Sequence, residues 1–229
     1  KGKEKDYRWL KILGTIGIPI AIFGVHGGTG LLYAVVKARP YWNSALFPVV
    51  FVVSALVSGT ALVTFIYILK AKLTKEKVDI NLIKSLAKLM ILFLLIDVGL
   101  QFFEIIVGFY GLQEDTLAAL LFMIKGKNAW IFWLVQIGLG VFLPILIYIN
   151  KKTRHSVNGI FLASGAIVIG ILGVRFNIVL PAQINPLLSG LSQPQYYPTI
   201  LEWIASLGII ALGLLLFTLA VRLLPEETF

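Results

Sequence analysis

The sequence predicts an all-α integral membrane protein, a bundle of about six transmembrane helices, and two observations lead to this prediction. Hydrophobic residues make up 59% of the 229 residues and charged residues only 14%, whereas an ordinary soluble domain has about 25% charged residues. A helix needs about 20 apolar residues to cross a hydrocarbon core of about 30 Å. Six stretches meet this length: residues 12–35, 46–69, 86–110, 129–149, 156–180 and 200–222. Residues 1–229 are therefore expected to form a single transmembrane domain.

The Lys and Arg side chains alternate between the two ends of the predicted bundle. Fifteen of the 20 lie on the side of the two termini, four lie on the other side, and Arg175 lies inside a span. Because basic residues concentrate in cytoplasmic segments, we expect a multi-pass protein of the plasma or inner membrane with both termini in the cytoplasm. The net charge of +9 thus indicates topology, and nucleic acid is not an expected partner.

Residue counts narrow the redox chemistry that the chain can perform by itself. The sequence contains no Cys and two His, which excludes disulfides and thiolate-bound iron–sulfur clusters within it. Only His26 lies at membrane depth, so a haem held by two His is not expected either. The first residues, KGKEKDYRWL, lack an initiator Met and the pattern of a signal peptide. We therefore expect a beginning that is missing or processed.

The first span carries a polar face that could contact a ligand. Thr29, Gly30 and Tyr33 follow His26 at spacings of three, four and seven residues, which places them on one face of a helix. That face offers a ring nitrogen and a phenol. The alternative is a His26 that packs between helices and bonds to a neighbouring one.

The third span contains acidic side chains at helical spacing. Asp97, Gln101 and Glu104 share one face, with Asp97 near the middle of the membrane and Glu104 closer to the outside. Ionisable groups inside a span are costly and often functional. Two carboxyl groups in line suggest a proton path, and a structural pairing with Arg175 is an equally good explanation.

Further polar residues lie near the outer ends of the last two spans. Arg175 and Asn177 lie in the fifth span and Glu202 at the start of the sixth, and these three are assigned structural polar pairing. If the helices face one another suitably, Arg175 and Glu202 would join His26 and Glu104 in one polar pocket. The uncharged segment of residues 180–199 is rich in proline and is expected to be an ordered outer loop that docks a partner.

One long run of the sequence resembles a known family. Residues 17–62 contain GVHGGTG in a helix, KARPYWNS at its exit and FVVSALVSG in the next helix. This order of motifs resembles the NrfD family, the membrane subunits of polysulfide reductases. Residues 94–111, 175–183 and 197–203 are similar to the later helices and outer loop of that family. The resemblance therefore covers nearly the whole chain.

The resemblance implies a function. Members of the family are membrane subunits of respiratory complexes that exchange electrons between quinol and an iron–sulfur or haem subunit outside the bilayer. It implies a quinone of unspecified type as the cofactor, other membrane subunits and lipid as further partners, and eight or more helices, of which the first would be absent here. His26 falls in the motif nearest the quinone pocket and is the expected catalytic residue, with Tyr33, Thr29 and Arg39 as further quinone contacts. Asp97, Gln101 and Glu104 fall in the helix linked to proton movement.

A different class of function also fits these residues. In a proton or ion transporter, or in a purely structural membrane anchor, Asp97, Glu104 and Arg175 would form a relay or a packing pair without quinone. The subunits that purify with the protein would separate these interpretations. A partner that carries clusters or haem favours the quinone interpretation.

Overall fold

The computed structural model describes residues 2–184 and 199–223, and every regular element within them is helical. In chain order the elements are α1 (Gly2–Pro19), a π-helical segment π1 (Ile20–Gly27), α2 (Gly28–Ala34), α3 (Phe47–Thr74), α4 (Ile80–Tyr110), α5 (Glu114–Lys125), a second π-helical segment π2 (Ile131–Phe142), α6 (Leu143–Ile149), α7 (Val157–Gln183) and α8 (Ile200–Leu223). The predicted all-α class is confirmed.

Six helices within the described residues are long and apolar enough to cross a membrane. They are Lys11–Ala34, Phe47–Thr74, Ile80–Tyr110, Ile131–Ile149, Val157–Gln183 and Ile200–Leu219. The six predicted spans are thereby confirmed, although the third helix starts six residues before its predicted span. Asp79 caps it, since its Oδ1 accepts hydrogen bonds from the backbone N–H groups of Asn81 and Leu82 at 2.8 and 3.2 Å. The helix therefore begins with residues 80–85, which include the polar side chains of Asn81, Lys84 and Ser85, ahead of the predicted apolar stretch.

The chain divides into two compact units, residues 1–193 and residues 194–229. The second unit contains α8, whose first turn is closed by Glu202. The carboxylate of Glu202 accepts hydrogen bonds from the backbone N–H and the hydroxyl of Thr199 at 2.6 and 3.0 Å. This is the pairing expected of a helix start. The predicted docking loop falls largely on residues 185–198, outside the described residues.

The core of the first unit lies where α3 and α4 pack against α7. Its buried side chains come from all three helices: Val57, Ala61, Met90, Ile91, Leu94, Ala163 and Ile167. Glycines bring π2 and α7 into direct backbone contact, because a Cβ on Gly170 would overlap the Cα of Gly140. In lipid such close approach drives helix association, since the hydrophobic effect between helices is lost. The contact fixes which side chains of π2 face α7.

The first unit has two ends, each named here after one of its basic residues. The Arg39 end comprises residues 35–46 and 111–130 and the last turn of α7; the Lys75 end comprises residues 75–79 and 150–156. At the Arg39 end, the Arg39 Nη1 donates to the carbonyl oxygen of Ala182 at 2.9 Å and the indole N–H of Trp42 donates to that of Ile178 at 2.7 Å. The connection between α2 and α3 is thereby held against α7.

The short helix α5 was not predicted from the sequence. It lies at the Arg39 end, and its buried face packs Leu120 and Met123 against Phe132 of π2 and Ile105 of α4. Leu120 also lies against Gly108, where a Cβ would come within 2.7 Å of its Cδ1. The helix therefore covers the end of α4, which carries Glu104.

Candidate functional site

The π-helical segment π1 carries His26 to a pocket on one side of α3 and α7. The pocket, called the His26 pocket below, has a volume of about 270 Å³ and is lined by His26, Thr29, Tyr33, Phe51, Arg175, Ile178 and Val179. The backbone at Gly30 allows this arrangement, because a Cβ there would come within 2.5 Å of the Cα of Pro48. The structure thus brings the polar face predicted for the first span to one pocket, except for Gly30, which forms the contact with α3.

The polar groups of the His26 pocket differ in whether they already form hydrogen bonds within the protein. The Thr29 hydroxyl donates to the Val25 carbonyl oxygen of its own helix at 2.6 Å. Within the described residues, the ring nitrogens of His26 make no hydrogen bond. The imidazole is therefore available to a ligand in the pocket, whereas the Thr29 proton is not.

Arg175 places a positive charge beside the His26 pocket. Its guanidinium carbon lies 4.2 Å from the centroid of the Phe51 ring, a distance typical of a cation–π contact. Its charge interacts with Asp97 and Tyr33, and its buried Nη1 has no hydrogen-bond partner among the described residues. Arg175 thus links the pocket electrostatically to the buried carboxyl group of α4.

A chain of hydrogen bonds connects Asp97 to two other helices. Gln101 Nε2 donates to Asp97 Oδ2 at 2.6 Å, Gln136 Nε2 donates to Gln101 Oε1 at 2.8 Å, and Asn177 Nδ2 donates to Gln136 Oε1 at 2.6 Å. Asp97 is only 1% exposed, and Gln136 and Asn177 are buried as well. Because buried amides are costly unless bonded, this chain, called the amide chain below, fixes the positions of α4, π2 and α7 relative to one another.

A larger cavity of about 500 Å³ lies at the Arg39 end, between α4, α5 and α7. We call it the Glu104 cavity. Its apolar wall includes Phe47, Val50, Ile105, Leu120, Met123 and Val174, and its polar lining groups are Tyr41, Asn43, Ser44, Gln101, Glu104, Gln113, Thr116, Gln136 and Asn177. Gln101 and Asn177 both belong to the amide chain, although the sequence places them on separate spans. In the structure they face the same cavity.

Glu104 is the acidic group of this cavity. Ser44 lies beside its carboxyl group in the lining of the cavity, while its buried Oε2 has no hydrogen-bond partner among the described residues. The Tyr41 hydroxyl donates to the backbone oxygen of Asn177 at 3.2 Å. Burial, and then the charge of Glu104, raise the pKa of Tyr41, so the phenol stays neutral at physiological pH. Glu104, and not Tyr41, is thus the group of this cavity that can gain or lose a proton.

The predicted site residues do not form the single polar pocket that the sequence suggested. His26 and Arg175 line one cavity, and Glu104 lines the other. Glu202 belongs to the second unit, so its position relative to these groups is not described. Arg39 does not line the His26 pocket; it holds the end of α7.

Sequence reasoning missed three residues of the site. Tyr41 and Ser44 lie outside the predicted spans, and only the packing of residues 35–46 brings them to Glu104. Gln136 could have been identified from the sequence, because a polar glutamine inside the predicted fourth span is itself a sign of a structural or functional role. No cluster of three or more His, Cys, Asp or Glu that could hold a metal ion occurs in residues 2–184 or 199–223.

Comparison with known proteins gives a consistent result. The family model described as polysulphide reductase, NrfD, matches residues 3–186. The chain is 40% identical to a selenate reductase subunit from Mesobacillus selenatarsenatis, over 97% of this chain and 53% of that protein. It is 30% identical to the Hdr-like menaquinol oxidoreductase integral membrane subunit of Archaeoglobus fulgidus, over 89% of this chain and 55% of that protein.

A third relative is more distant. The chain is 25% identical to protein NrfD of Escherichia coli, over 78% of this chain and 60% of that protein. The chain thus spans little more than half the length of these curated relatives. The family model covers most of the chain, and the first two relatives align with nearly all of it. This multi-pass membrane protein therefore belongs to the NrfD polysulphide reductase family.

Proposed function

We propose that this chain is part of a membrane subunit that binds quinone or quinol in the His26 pocket and exchanges electrons with an iron–sulfur or haem partner subunit. The observation that carries the proposal is the convergence on one pocket of a phenol, a guanidinium, an aromatic ring and an imidazole that makes no hydrogen bond to the described residues. Its volume of about 270 Å³ is close to the lower end of small-molecule sites, about 300 Å³. That size suits one flat ring whose isoprenoid tail stays in lipid.

His26 is the proton acceptor in this proposal. Oxidation of a quinol releases two protons together with two electrons, so a base must lie beside the hydroxyl groups. An imidazole has an unperturbed pKa of about 6.5 and takes and returns protons near neutrality. Tyr33 would donate a hydrogen bond to a quinone carbonyl, and the charge of Arg175 would stabilise negative charge that develops on the ring oxygens. The electrons pass to the partner subunit.

A route for the protons leads away from the His26 pocket. Arg175 interacts with Asp97, Asp97 is bonded to Gln101, and Gln101 faces the cavity that contains Glu104. The amides cannot ionise near neutrality, so Asp97 and Glu104 would be the groups that carry the proton, and water in the Glu104 cavity would complete the path. The cavity lies at the Arg39 end, which the positive-inside rule assigns to the outside.

The partner subunit is proposed to dock at the same end. Residues 35–46 are held rigidly against α7 there, so they offer a fixed surface beside both cavities. The name of the Archaeoglobus relative, an integral membrane subunit of a menaquinol oxidoreductase, supports menaquinol as a candidate for the quinol. The direction of electron flow is set by the redox partners in the complete complex.

Proton transport without quinone is the second candidate, and the Glu104 cavity is the observation that favours it. This cavity is nearly twice the volume of the His26 pocket and holds most of the polar groups. In that case His26 would be dispensable, while Asp97 and Glu104 would be essential. The two candidates therefore differ in what they require of His26.

Substitution of His26 tests the proposal. We expect His26→Ala to lower quinol-linked electron transfer about 100-fold, the smaller end of what a general base contributes, while the complex still assembles. Turnover with a soluble quinol analogue and binding of a quinone-site inhibitor are the measurements. Thr60→Ala is the matched control, because its hydroxyl donates to the Leu56 carbonyl oxygen of its own helix at 2.7 Å and Thr60 lines neither cavity. It should retain most of the activity. Full turnover in an assembled His26→Ala complex would contradict the proposal.

A further inference from the structure

A cluster of basic side chains occurs at the Lys75 end, far from both cavities. Lys84 and Lys88 lie one turn apart in α4, and Arg154 and His155 lie in the loop between α6 and α7. We call these four residues the basic cluster. Their neighbours Ile83 and Ala87 pack with Ile160 and Val157 at the start of α7. The two lysines are thereby held beside the loop that ends at α7.

The loop that carries Arg154 and His155 is fixed by its own contacts. The Thr153 hydroxyl donates to the Ile147 carbonyl oxygen at 2.6 Å, and the Arg154 backbone N–H donates to the Asn150 carbonyl oxygen at 3.0 Å. A Cβ on Gly159 would overlap the carbonyl group of Thr153, so the loop lies directly on the first turn of α7. The arginine and the histidine therefore have defined positions.

The charges around His155 are all of one sign. Arg154 Nε donates to His155 Nε2 at 3.0 Å, so this nitrogen of the imidazole accepts the bond. Loss of hydration and the charges of Arg154, Lys84 and Lys88 lower the pKa of His155. The carboxylate nearest to Lys84 along the chain is Asp79, which caps α4. Among the described residues only positive charges act on His155, so an anion would complement the basic cluster.

An apolar strip follows the cluster along α4. Leu92 lies one turn beyond Lys88 and Leu95 follows it, and these leucines are 51% and 53% exposed. We call Leu92 and Leu95 the α4 strip. Residues four apart lie on one helix face, so positive charge at the helix end gives way to an apolar surface at membrane depth. This order matches a molecule with an anionic head and an acyl chain.

We propose that the basic cluster binds the phosphate of an anionic phospholipid, whose acyl chain lies along the α4 strip. Basic pockets between transmembrane helices on the cytoplasmic side bind such head groups, and the basic asymmetry assigns this end to the cytoplasm. The α4 strip favours a lipid over free phosphate, because free phosphate has no acyl chain that could pack against the two leucines. The site requires neither quinone nor a redox partner.

The titration of His155 reports on the bound phosphate. The full-length protein with isotope-labelled histidine is placed in nanodiscs of phosphatidylcholine, with or without phosphatidylglycerol, and His155→Gln assigns the signal. We expect phosphatidylglycerol to raise the pKa of His155 by about one unit or more, as an adjacent opposite charge does. The general surface potential alone accounts for about half a unit. A rise no larger than that background would overturn the proposal.

Matched variants measure the lipid directly. We expect Lys84→Gln/Lys88→Gln to retain less phosphatidylglycerol during purification, by about fivefold for each lysine removed. Lys88→Gln alone, at an exposed position, serves if the double variant assembles poorly. The control is Lys125→Gln/Lys127→Gln at the Arg39 end, which should retain the lipid fully. Equal losses in the two pairs would indicate unspecific attraction and overturn the proposal.

Two further outcomes are decisive. Soluble glycerol phosphate, which lacks acyl chains, should raise the pKa of His155 far less than phosphatidylglycerol does. An equal rise would identify a phosphate site without a lipid, contrary to the proposal. If the lysine variant instead lost a protein that copurifies with the wild type while it kept its lipid, the cluster would be a protein contact, again contrary to the proposal.

Discussion

The two cavities of the first unit are built in different ways. Three polar residues of the His26 pocket, His26, Thr29 and Tyr33, come from one continuous helix and lie within eight residues of sequence. The fourth is Arg175 of α7. The Glu104 cavity takes its polar groups from α4, α5, π2, α7 and the connection before α3. Among the described residues, Ile178 alone lines both cavities. A local motif thus makes the smaller site, and long-range packing makes the larger.

The chemistry of the cavities differs as well. The His26 pocket combines an imidazole and a phenol with a guanidinium, whereas the Glu104 cavity combines a carboxyl group with amides and hydroxyl groups. Asp97 lines neither cavity, but it interacts with Arg175 on one side and Gln101 on the other. In the proposed function, a proton that passes from His26 to Glu104 would pass Asp97. Substitutions that affect one cavity and spare the other test this view.

Asp97 should give the largest effect, because it interacts with Arg175 of the His26 pocket and with Gln101 of the Glu104 cavity. Asp97→Leu leaves the charge of Arg175 uncompensated and removes the acceptor of Gln101, and we expect it to lower the free energy of unfolding by about 3 to 5 kcal/mol, as for a broken buried pair. Assembly of the complex and its melting temperature are the measurements. An assembled Asp97→Leu complex with the wild-type melting temperature would rule out a structural role.

Asp97→Asn separates that structural role from proton transfer. The amide keeps the shape and a hydrogen bond to Gln101 but cannot ionise, so we expect an assembled complex with slow turnover and normal quinone-site inhibitor binding. Early melting of this variant, similar to that of Asp97→Leu, would instead show that neutralising Arg175 is the main role. A variant that is both stable and fully active would refute both roles.

Gly30→Ala and Gly170→Ala should each disturb a different cavity. The first pushes α2 away from Pro48 of α3, and the second pushes α7 away from π2, which carries Gln136. Overpacking of this kind costs about 1 to 3 kcal/mol. We expect Gly30→Ala to weaken inhibitor binding and Gly170→Ala to slow proton release, with lower melting temperatures in both. In Gly59→Ala, the control, a Cβ meets nothing within 4 Å, and stability should not fall.

The Gly30→Ala and Gly170→Ala variants together test whether the two cavities are independent. If the two variants impair inhibitor binding and proton release to the same extent, the cavities are not independent. A single continuous site would then describe the molecule better than two.

Tyr41→Phe should give the smallest effect, confined to the Glu104 cavity. Loss of the hydrogen bond to the Asn177 carbonyl costs about 1 kcal/mol. Because burial raises the pKa of Tyr41 in the folded state, the stability that the phenol provides is present below its unfolded pKa of about 10 and is lost as the pH rises beyond it. Above a pH of about 10, the wild type should therefore lose more stability than the Tyr41→Phe variant does. Parallel losses in thermal unfolding scans would contradict the burial of this phenol.

Much of the fold followed from the sequence, because hydropathy and helical spacing are local properties. Six apolar stretches predicted the six long helices, and the spacing of His26, Thr29 and Tyr33 predicted their common face. The start of α4 was the main error in the boundaries. Asp79 caps that helix and starts it six residues before the predicted apolar stretch. The motifs of residues 17–62 also predicted the family correctly.

The candidate site was predictable only within each helix. The sequence placed Asp97, Gln101 and Glu104 on one face but gave no measure of how α4 is rotated against α7, and so it merged His26 and Glu104 into one pocket. Gln136 reaches the amide chain because Gly140 and Gly170 let π2 and α7 touch, and Ser44 reaches Glu104 because Arg39 and Trp42 hold their segment against α7.

The sequence by itself thus determined the number of spans, the family and the residues that share each helix face. Only the tertiary structure decided that these faces form two cavities, and that Arg175 belongs to the one with His26. The physical reason is that a helix face follows from the 3.6-residue repeat of one segment. The partner of that face follows instead from close packing between segments far apart in the chain, where small residues set the distance and the rotation of the helices.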